Sequence, residues 1–316
     1  VGVSALVTGA YGVLGAGIVR ALLDRGDRVT VLKRDDVPGA ALVVERLEPR
    51  CAVVHGDLTD PGLIDRTIAE HEVDTVFHLA AQTIVGTARR APLSTWETNV
   101  RGTYLLMEAC RTQQVQRVVV ASSDKAYGAH DELPYREDLA LQPRFPYDVS
   151  KACTDLIARS YWHTYGVPVA VTRFANVYGG GDRNPSRLIP EAIAAALAGR
   201  APVVRSDGTP ERDFLYVDDA AAAYLAIARA LDGAGARGEA FNAGGDRPHS
   251  VREVVELVCR LAGTDVEPDV RGTGSPPGEI DRQWVDSTKL RELTGWRPRV
   301  DLEEGLRRTI DWYRRH

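Results

Sequence analysis

The chain has 316 residues, 44% apolar and 26% charged, with a formal net charge of −5. That length buries a large core, and the balance is ordinary for a soluble globular protein. A mildly acidic chain without a long basic run offers no surface to nucleic acid or anionic membranes, and no stretch approaches the roughly 18 apolar residues of a membrane span. A strand pattern begins at once, from Val3 to Val7, which leaves no room for a leader and makes a cytoplasmic location the expectation. Cys51, Cys110, Cys153 and Cys259 lie far apart with no C-x-x-C pair. Buried packing in a reducing compartment is expected of them, with no disulfide framework and no metal site.

Short β-branched runs at 5–7, 29–32, 52–54, 75–77, 118–120 and 169–172 alternate with amphipathic stretches at 15–25, 61–70, 92–111 and 147–165. Uninterrupted apolar strands alternating with helices predict an α/β fold, a doubly wound parallel (Rossmann) sheet with ligands at the carboxyl ends of its strands. Past Arg173 the elements shorten: a loop at 179–185, a short helix at 189–197, a turn at 206–210 and a long flexible segment at 272–278. The expected division is a dinucleotide-binding domain over 1–176 with about 213–245, and a smaller substrate-binding lobe over about 177–212 and 246–316.

The first strand runs into Thr8-Gly9-Ala10-Tyr11-Gly12-Val13-Leu14-Gly15 and then directly into a helix. Glycines there let the backbone approach a pyrophosphate that the helix N-terminus stabilises, which predicts NAD or NADP as cofactor. The second strand ends in Lys33 and Arg34, with Asp35 and Asp36 behind them. The two cations read equally well as partners for a 2′-phosphate or as a solvated strand end. Asp57 is placed either to contact the adenine or to cap a helix starting near Pro61.

The fifth strand ends in Ser122-Ser123-Asp124-Lys125-Ala126-Tyr127-Gly128, and Tyr147 and Lys151 follow at the opening of a helix. Residues four apart share a helix face, so the Lys151 ammonium is expected to lower the Tyr147 pKa and to hold the nicotinamide ribose. Ser123 is expected to hydrogen-bond the same substrate hydroxyl.

Glycine loop, serine strand end and Tyr-Lys pair together resemble the extended short-chain dehydrogenase/reductases, in the nucleotide-sugar epimerase/dehydratase family, over essentially the whole chain. Further matching landmarks are Gly56-Asp57-Leu58, Phe77-His78-Leu79-Ala80-Ala81, Asn99, and the segments 173–178 and 212–218. Within the family, 78–85, Ser123-Asp124-Lys125 and 178–182 look most like CDP-glucose 4,6-dehydratases. The resemblance implies a cofactor lined by Gly9, Tyr11, Gly12, Val13, Leu14, Lys33, Arg34, Asp57, Leu58, Leu79, Ala80, Ala81, Asn99, Tyr147 and Lys151. It implies a nucleotide-diphosphate sugar as substrate, met by Gln82 and Thr83, with Asn176, Arg212 and Arg282 on the diphosphate and Arg205 near the nucleotide. A homodimer joined through the helices at 92–111 and 147–165 is implied as well.

Dehydratase and epimerase begin alike: Tyr147 takes the proton of the hydroxyl on sugar carbon 4 as hydride leaves. A 4,6-dehydratase then needs a base for the carbon-5 proton and an acid for the hydroxyl leaving carbon 6. Asp124 as acid and Lys125 as base supply that pair, where related epimerases carry small or hydroxyl residues. The expectation is a 4,6-dehydratase acting on a CDP-glucose-like substrate with internally recycled cofactor. The alternatives are a nucleotide-sugar epimerase and, from another class, an inactive NAD(P) sensor.

Overall fold

The computed structural model describes residues 2–245, 247–274 and 280–316. All six apolar runs form strands: β1 (Ser4–Thr8), β2 (Arg28–Lys33), β3 (Ala52–His55), β4 (Thr75–His78), β5 (Arg117–Ala121) and β6 (Val169–Phe174). With a seventh strand at Ala240–Ala243 they make one parallel sheet, ordered Ala240–Ala243, β6, β5, β4, β1, β2, β3. β1, β4 and β6 are buried along their whole length, so their sequences show no polar alternation. From β1 the chain builds outward to β3, then crosses back to lay β4 on the other flank of β1. The carboxyl ends of β1 and β4 therefore frame the crevice where such sheets bind ligands.

The first helix, Val13–Asp24, presses Ile18, Val19 and Leu22 into the core. Gly17 lets it close on the helix Val217–Ala230, because a Cβ there would lie 2.7 Å from a Val217 methyl. The helix predicted over 61–70 begins at Leu63, after left-handed Gly62, and has no side-chain cap. Asp57 does not cap it; its Oδ1 accepts from the Thr59 amide (2.8 Å) and hydroxyl (2.7 Å), closing its own turn instead. The continuous helix predicted over 92–111 is Pro92–Trp96, a wider π-helical turn at Glu97–Arg101, and Gly102–Thr112. Such turns recur at functional sites, and this one holds Asn99 buried.

Beyond β6 the sheets are small. Asn176–Tyr178 pairs with Phe214–Tyr216, Glu211–Arg212 lies between His249–Ser250 and Arg282–Gln283, and Val203–Val204 pairs with Asp269–Val270. Helices Leu188–Leu197, Val251–Ala262 and Leu302–Arg315 pack over them through Ile189, Ile193, Val254, Val258, Leu306 and Ile310. Of the segment at 272–278, residues 275–278 lie outside the described residues. Cys110 and Cys259 are buried, whereas Cys51 and Cys153 are only half-buried; all four are free thiols. No described helix is long and apolar enough to cross a membrane.

One buried ion pair ties the sheet to the helix that carries Tyr147. Arg173, at the end of β6, meets Asp155 of the helix Pro146–Tyr165 through two bonds of 2.7 and 3.1 Å, and also donates to the Tyr127 hydroxyl. Two-point contact of this kind fixes angle as well as distance.

Candidate active site

At the end of β1, Gly9 adopts φ 74°, and a Cβ on it would lie 2.7 Å from the Ala80 amide. A Cβ on Gly15 would run into the Gly9 carbonyl. The Thr8 hydroxyl accepts from the Leu79 and Ala80 amides, both at 3.2 Å, so the glycine loop and the 79–81 segment are built as one wall. The first helix opens at exposed Gly12 without a side-chain cap, which leaves its amides facing outward. A backbone cradle that side chains would fill, ending on bare helix amides, fits a dinucleotide pyrophosphate. Val13 and Leu14 are half-buried at its rim, whereas the Leu58 side chain packs under Gly102 in the core.

The end of β2 is not a simple solvated terminus. Lys33 Nζ lies 2.8 Å from Asp36 and 3.0 Å from Glu48, and its side chain is only 15% exposed. Arg34 is exposed and pairs with Asp35 at 2.6 Å.

Asn99 is the hub behind the crevice. Its Oδ1 accepts from the Gln82 amide at 2.7 Å, and its Nδ2 donates to the Gln82 carbonyl and to Ser150 Oγ. The Asn99 carbonyl receives the Thr103 and Thr154 hydroxyls. His78, at the end of β4, bridges Thr8 and Thr103. Burial, then the Lys151 charge, push its imidazole down to about 3, so it serves as a neutral strut.

Ser123, Asp124, Lys125, Tyr147 and Lys151 come together where β5 ends and the helix Pro146–Tyr165 begins. Ser123 Oγ donates to Asp124 Oδ1 (3.0 Å) and accepts from the Lys125 amide, and it lies near enough to Tyr147 to draw the phenol's pKa down. Asp124 is buried, and its Oδ2 has no partner among the described residues. Burial raises its carboxyl above the ordinary range, while the Lys125 charge draws it back. Lys125 is half-buried, and its charge falls on two carboxyls, Asp124 and Asp148; burial pushes Asp148 up to about 6.

The expected lowering of Tyr147 by Lys151 is not what the structure shows. Burial pushes the phenol up to about 12, with Arg187 and Ser123 drawing it down. Lys151 Nζ donates to the Ala121 carbonyl at 2.9 Å, and burial brings its ammonium down to about 8. Desolvation outweighs a neighbouring charge when both groups lie deep.

The residues expected on the substrate are more scattered. Arg212 is close enough to Asp124 to lower its pKa, and its Nη1 donates to the Glu211 and Asp281 carbonyls. Asn176 Nδ2 donates to the Asp213 carbonyl. Arg282 is exposed, pairs with Glu211 at 2.7 Å and covers the Trp284 ring. Arg205 is exposed beyond the strand Val203–Val204. The Gln82 side chain bonds the Ile84 backbone, and Thr83 is half-buried beside it.

Sequence reading missed Glu48, Asp148 and Arg187. Arg187 precedes the helix Leu188–Leu197, where no pattern announces that the fold brings its charge to Tyr147. Asp148 sits inside the Tyr-Lys spacing and was legible as the residue after Tyr147.

The model of the NAD dependent epimerase/dehydratase family matches residues 5–244. A trifunctional UDP-glucose 4,6-dehydratase/UDP-4-keto-6-deoxy-D-glucose 3,5-epimerase/UDP-4-keto-L-rhamnose-reductase of Arabidopsis thaliana is 31% identical over 98% of the chain, which spans 46% of that longer protein. A dTDP-glucose 4,6-dehydratase of Streptomyces venezuelae, solved with NAD bound, superposes with a TM-score of 0.87 at 34% identity, covering 99% of this chain and 97% of that one. The UDP-glucose 4-epimerase of Thermotoga maritima, solved with UDP-glucose, superposes with a TM-score of 0.89 at 30% identity and 99% coverage of each chain. The chain belongs to the NAD-dependent epimerase/dehydratase family.

Proposed function

We propose that the chain is a nucleotide-sugar 4,6-dehydratase that works through a 4-keto sugar and uses NAD as an internally recycled cofactor. The observation that carries this reading is Asp124: a buried carboxyl, raised above its ordinary range, one residue from Ser123 and acting electrostatically on Tyr147. A simple epimerase has no use for a proton held there. The redox chemistry, removal of hydride at carbon 4 and its return at carbon 6, would be supplied by NAD held on the loop of Gly9, Gly12 and Gly15. Tyr147 takes the proton of the carbon-4 hydroxyl, Ser123 orients that hydroxyl, and Lys151 holds the ribose next to them. The carbonyl so formed acidifies carbon 5; Lys125, acting in its neutral form, takes that proton while Asp124 protonates the hydroxyl leaving carbon 6 as water, and Lys125 returns the proton to carbon 5 once carbon 6 is reduced.

The lobe formed by about 177–212 and 246–316 holds the nucleotide diphosphate through Arg205, Arg212 and Arg282, with Asn176 meeting it from the end of the dinucleotide-binding domain. CDP-glucose is the substrate favoured by Ser123-Asp124-Lys125 and the 78–85 and 178–182 motifs. The likeness to the Thermotoga maritima epimerase supports a 4-epimerase as the second reading. Incubation with CDP-, UDP-, dTDP- and GDP-hexoses, without added reductant, separates the two by product mass. Loss of one water from one of them establishes dehydration and names the nucleotide; unchanged mass with inverted configuration makes the chain an epimerase.

The chain acts as a homodimer in this reading. Leu93, Tyr104, Leu156 and Tyr165 are 71%, 42%, 58% and 59% exposed, on Pro92–Trp96, Gly102–Thr112 and Pro146–Tyr165. Apolar side chains gathered on adjoining helices suit a helix-on-helix seam. Leu156→Glu is expected to convert a dimer to monomer in sedimentation velocity at micromolar concentration. A wild-type chain that sediments only as monomer removes the dimer.

A further inference from the structure

The carboxylate of Glu48 stands beside Lys33, the cation that ends β2. We propose that Glu48 selects NAD over its 2′-phosphorylated form, replacing from a different element the acid that the end of β2 lacks. The proposal rests on the cofactor reading above.

A dinucleotide whose pyrophosphate sits on the glycine loop brings its adenosine ribose to the end of the second strand, where an acid holds the ribose hydroxyls and an arginine accommodates a 2′-phosphate. Lys33 occupies the end of β2. Glu48 comes instead from the short turn Glu48–Arg50 that precedes β3. Its Oε1 accepts from the Tyr11 hydroxyl of the glycine loop at 2.9 Å and from Lys33 Nζ at 3.0 Å. The carboxylate is thus wedged between the loop and the strand end. Both bonds fall on one oxygen, which leaves Oε2 as the atom to receive the ribose 2′-hydroxyl.

Charge decides against the phosphate. Lys33 faces two carboxylates, Glu48 and Asp36, so this cluster is net negative. Arg34 is matched by Asp35. The Lys33 bond holds Glu48 below the ordinary carboxyl range, so it is ionised at neutral pH. A 2′-phosphate would have to pull Lys33 away from both carboxylates or sit uncompensated next to them. A hydroxyl brings no charge and donates a hydrogen bond. The discrimination is therefore repulsive as well as attractive.

The test is a titration of NADH and NADPH into the full chain freed of nucleotide, read by nicotinamide fluorescence. Wild-type protein is expected to bind NADH at least about tenfold more tightly than NADPH, and Glu48→Gln to tighten NADPH about tenfold with NADH changed less than about threefold. Glu48→Asp keeps the charge but shortens its reach; it is expected to go on rejecting NADPH while binding NADH more weakly. Wild-type parity, a preference for NADPH, or a Glu48→Gln ratio equal to wild type overturns the proposal and leaves the dinucleotide site intact. Wild-type protein that binds neither dinucleotide overturns the cofactor reading itself.

Discussion

Tyr147→Phe is expected to lower kcat by about 10³-fold, within the range of a lost acid-base group, while leaving NADH binding and thermal stability near wild type. The hydroxyl it removes is the one to which the proposed mechanism assigns the carbon-4 proton, near Ser123 at the opening of the helix Pro146–Tyr165. Buried, that phenol titrates near 12, so at neutral pH it rests protonated. The sign of the pH dependence follows: proton abstraction by wild type speeds up as pH rises toward the phenol's range, and the phenylalanine variant loses that rise. The measurement is a pH profile of sugar oxidation in a single turnover. A variant that keeps more than about a tenth of wild-type kcat takes the base role from Tyr147. Arg187→Gln then serves as a comparison, since Arg187 is the first group drawing the phenol down and its loss is expected to move the profile to higher pH.

The second large effect is expected at Asp124. Asp124→Asn keeps the shape of the strand end and removes the proton, so water loss from carbon 6 is expected to fall by about 10²–10⁴-fold. Oxidation at carbon 4 does not use this carboxyl and is expected to survive. Reduced nicotinamide then accumulates with substrate and appears as its near-ultraviolet absorbance, which wild type shows only transiently. Burial raises the Asp124 carboxyl, so the wild-type proton persists to higher pH than on an ordinary aspartate, and dehydration falls as pH climbs through that raised value. The asparagine variant has no such falling limb. Turnover at the wild-type rate in Asp124→Asn would leave the carboxyl a structural role and transfer the chemistry to the epimerase reading.

The two variants act on opposite sides of one physical condition, which is burial. The same desolvation that makes Tyr147 a reluctant base makes Asp124 a persistent acid. Lys151 is brought down to about 8 for the same reason. A helix-face argument from Tyr147 and Lys151 sees their spacing but not their depth, which is why it put the dominant influence on the wrong group.

What the sequence by itself determined about this protein is whatever local pattern encodes. Apolar runs without alternation marked six strands of the parallel sheet, and Gly9, Gly12 and Gly15 marked the cradle, where the backbone around Gly9 and Gly15 packs too closely for a side chain. Ala240–Ala243 escaped notice, since an Ala-Phe-Asn-Ala run has little β-branched character and owes its place to pairing with β6. The break in the helix at 97–101 was illegible too: its apolar spacing reads as regular, and the wider turn is visible only where Asn99 meets Gln82 and Ser150. Only the tertiary structure decided which charges face each other. Glu48 lies 15 residues beyond Lys33, and Arg187 lies 40 beyond Tyr147, distances over which spacing carries no information about contact. Electrostatic partners at a site are fixed by how strands and loops are laid side by side, and that arrangement is a property of the packed sheet rather than of any segment within it.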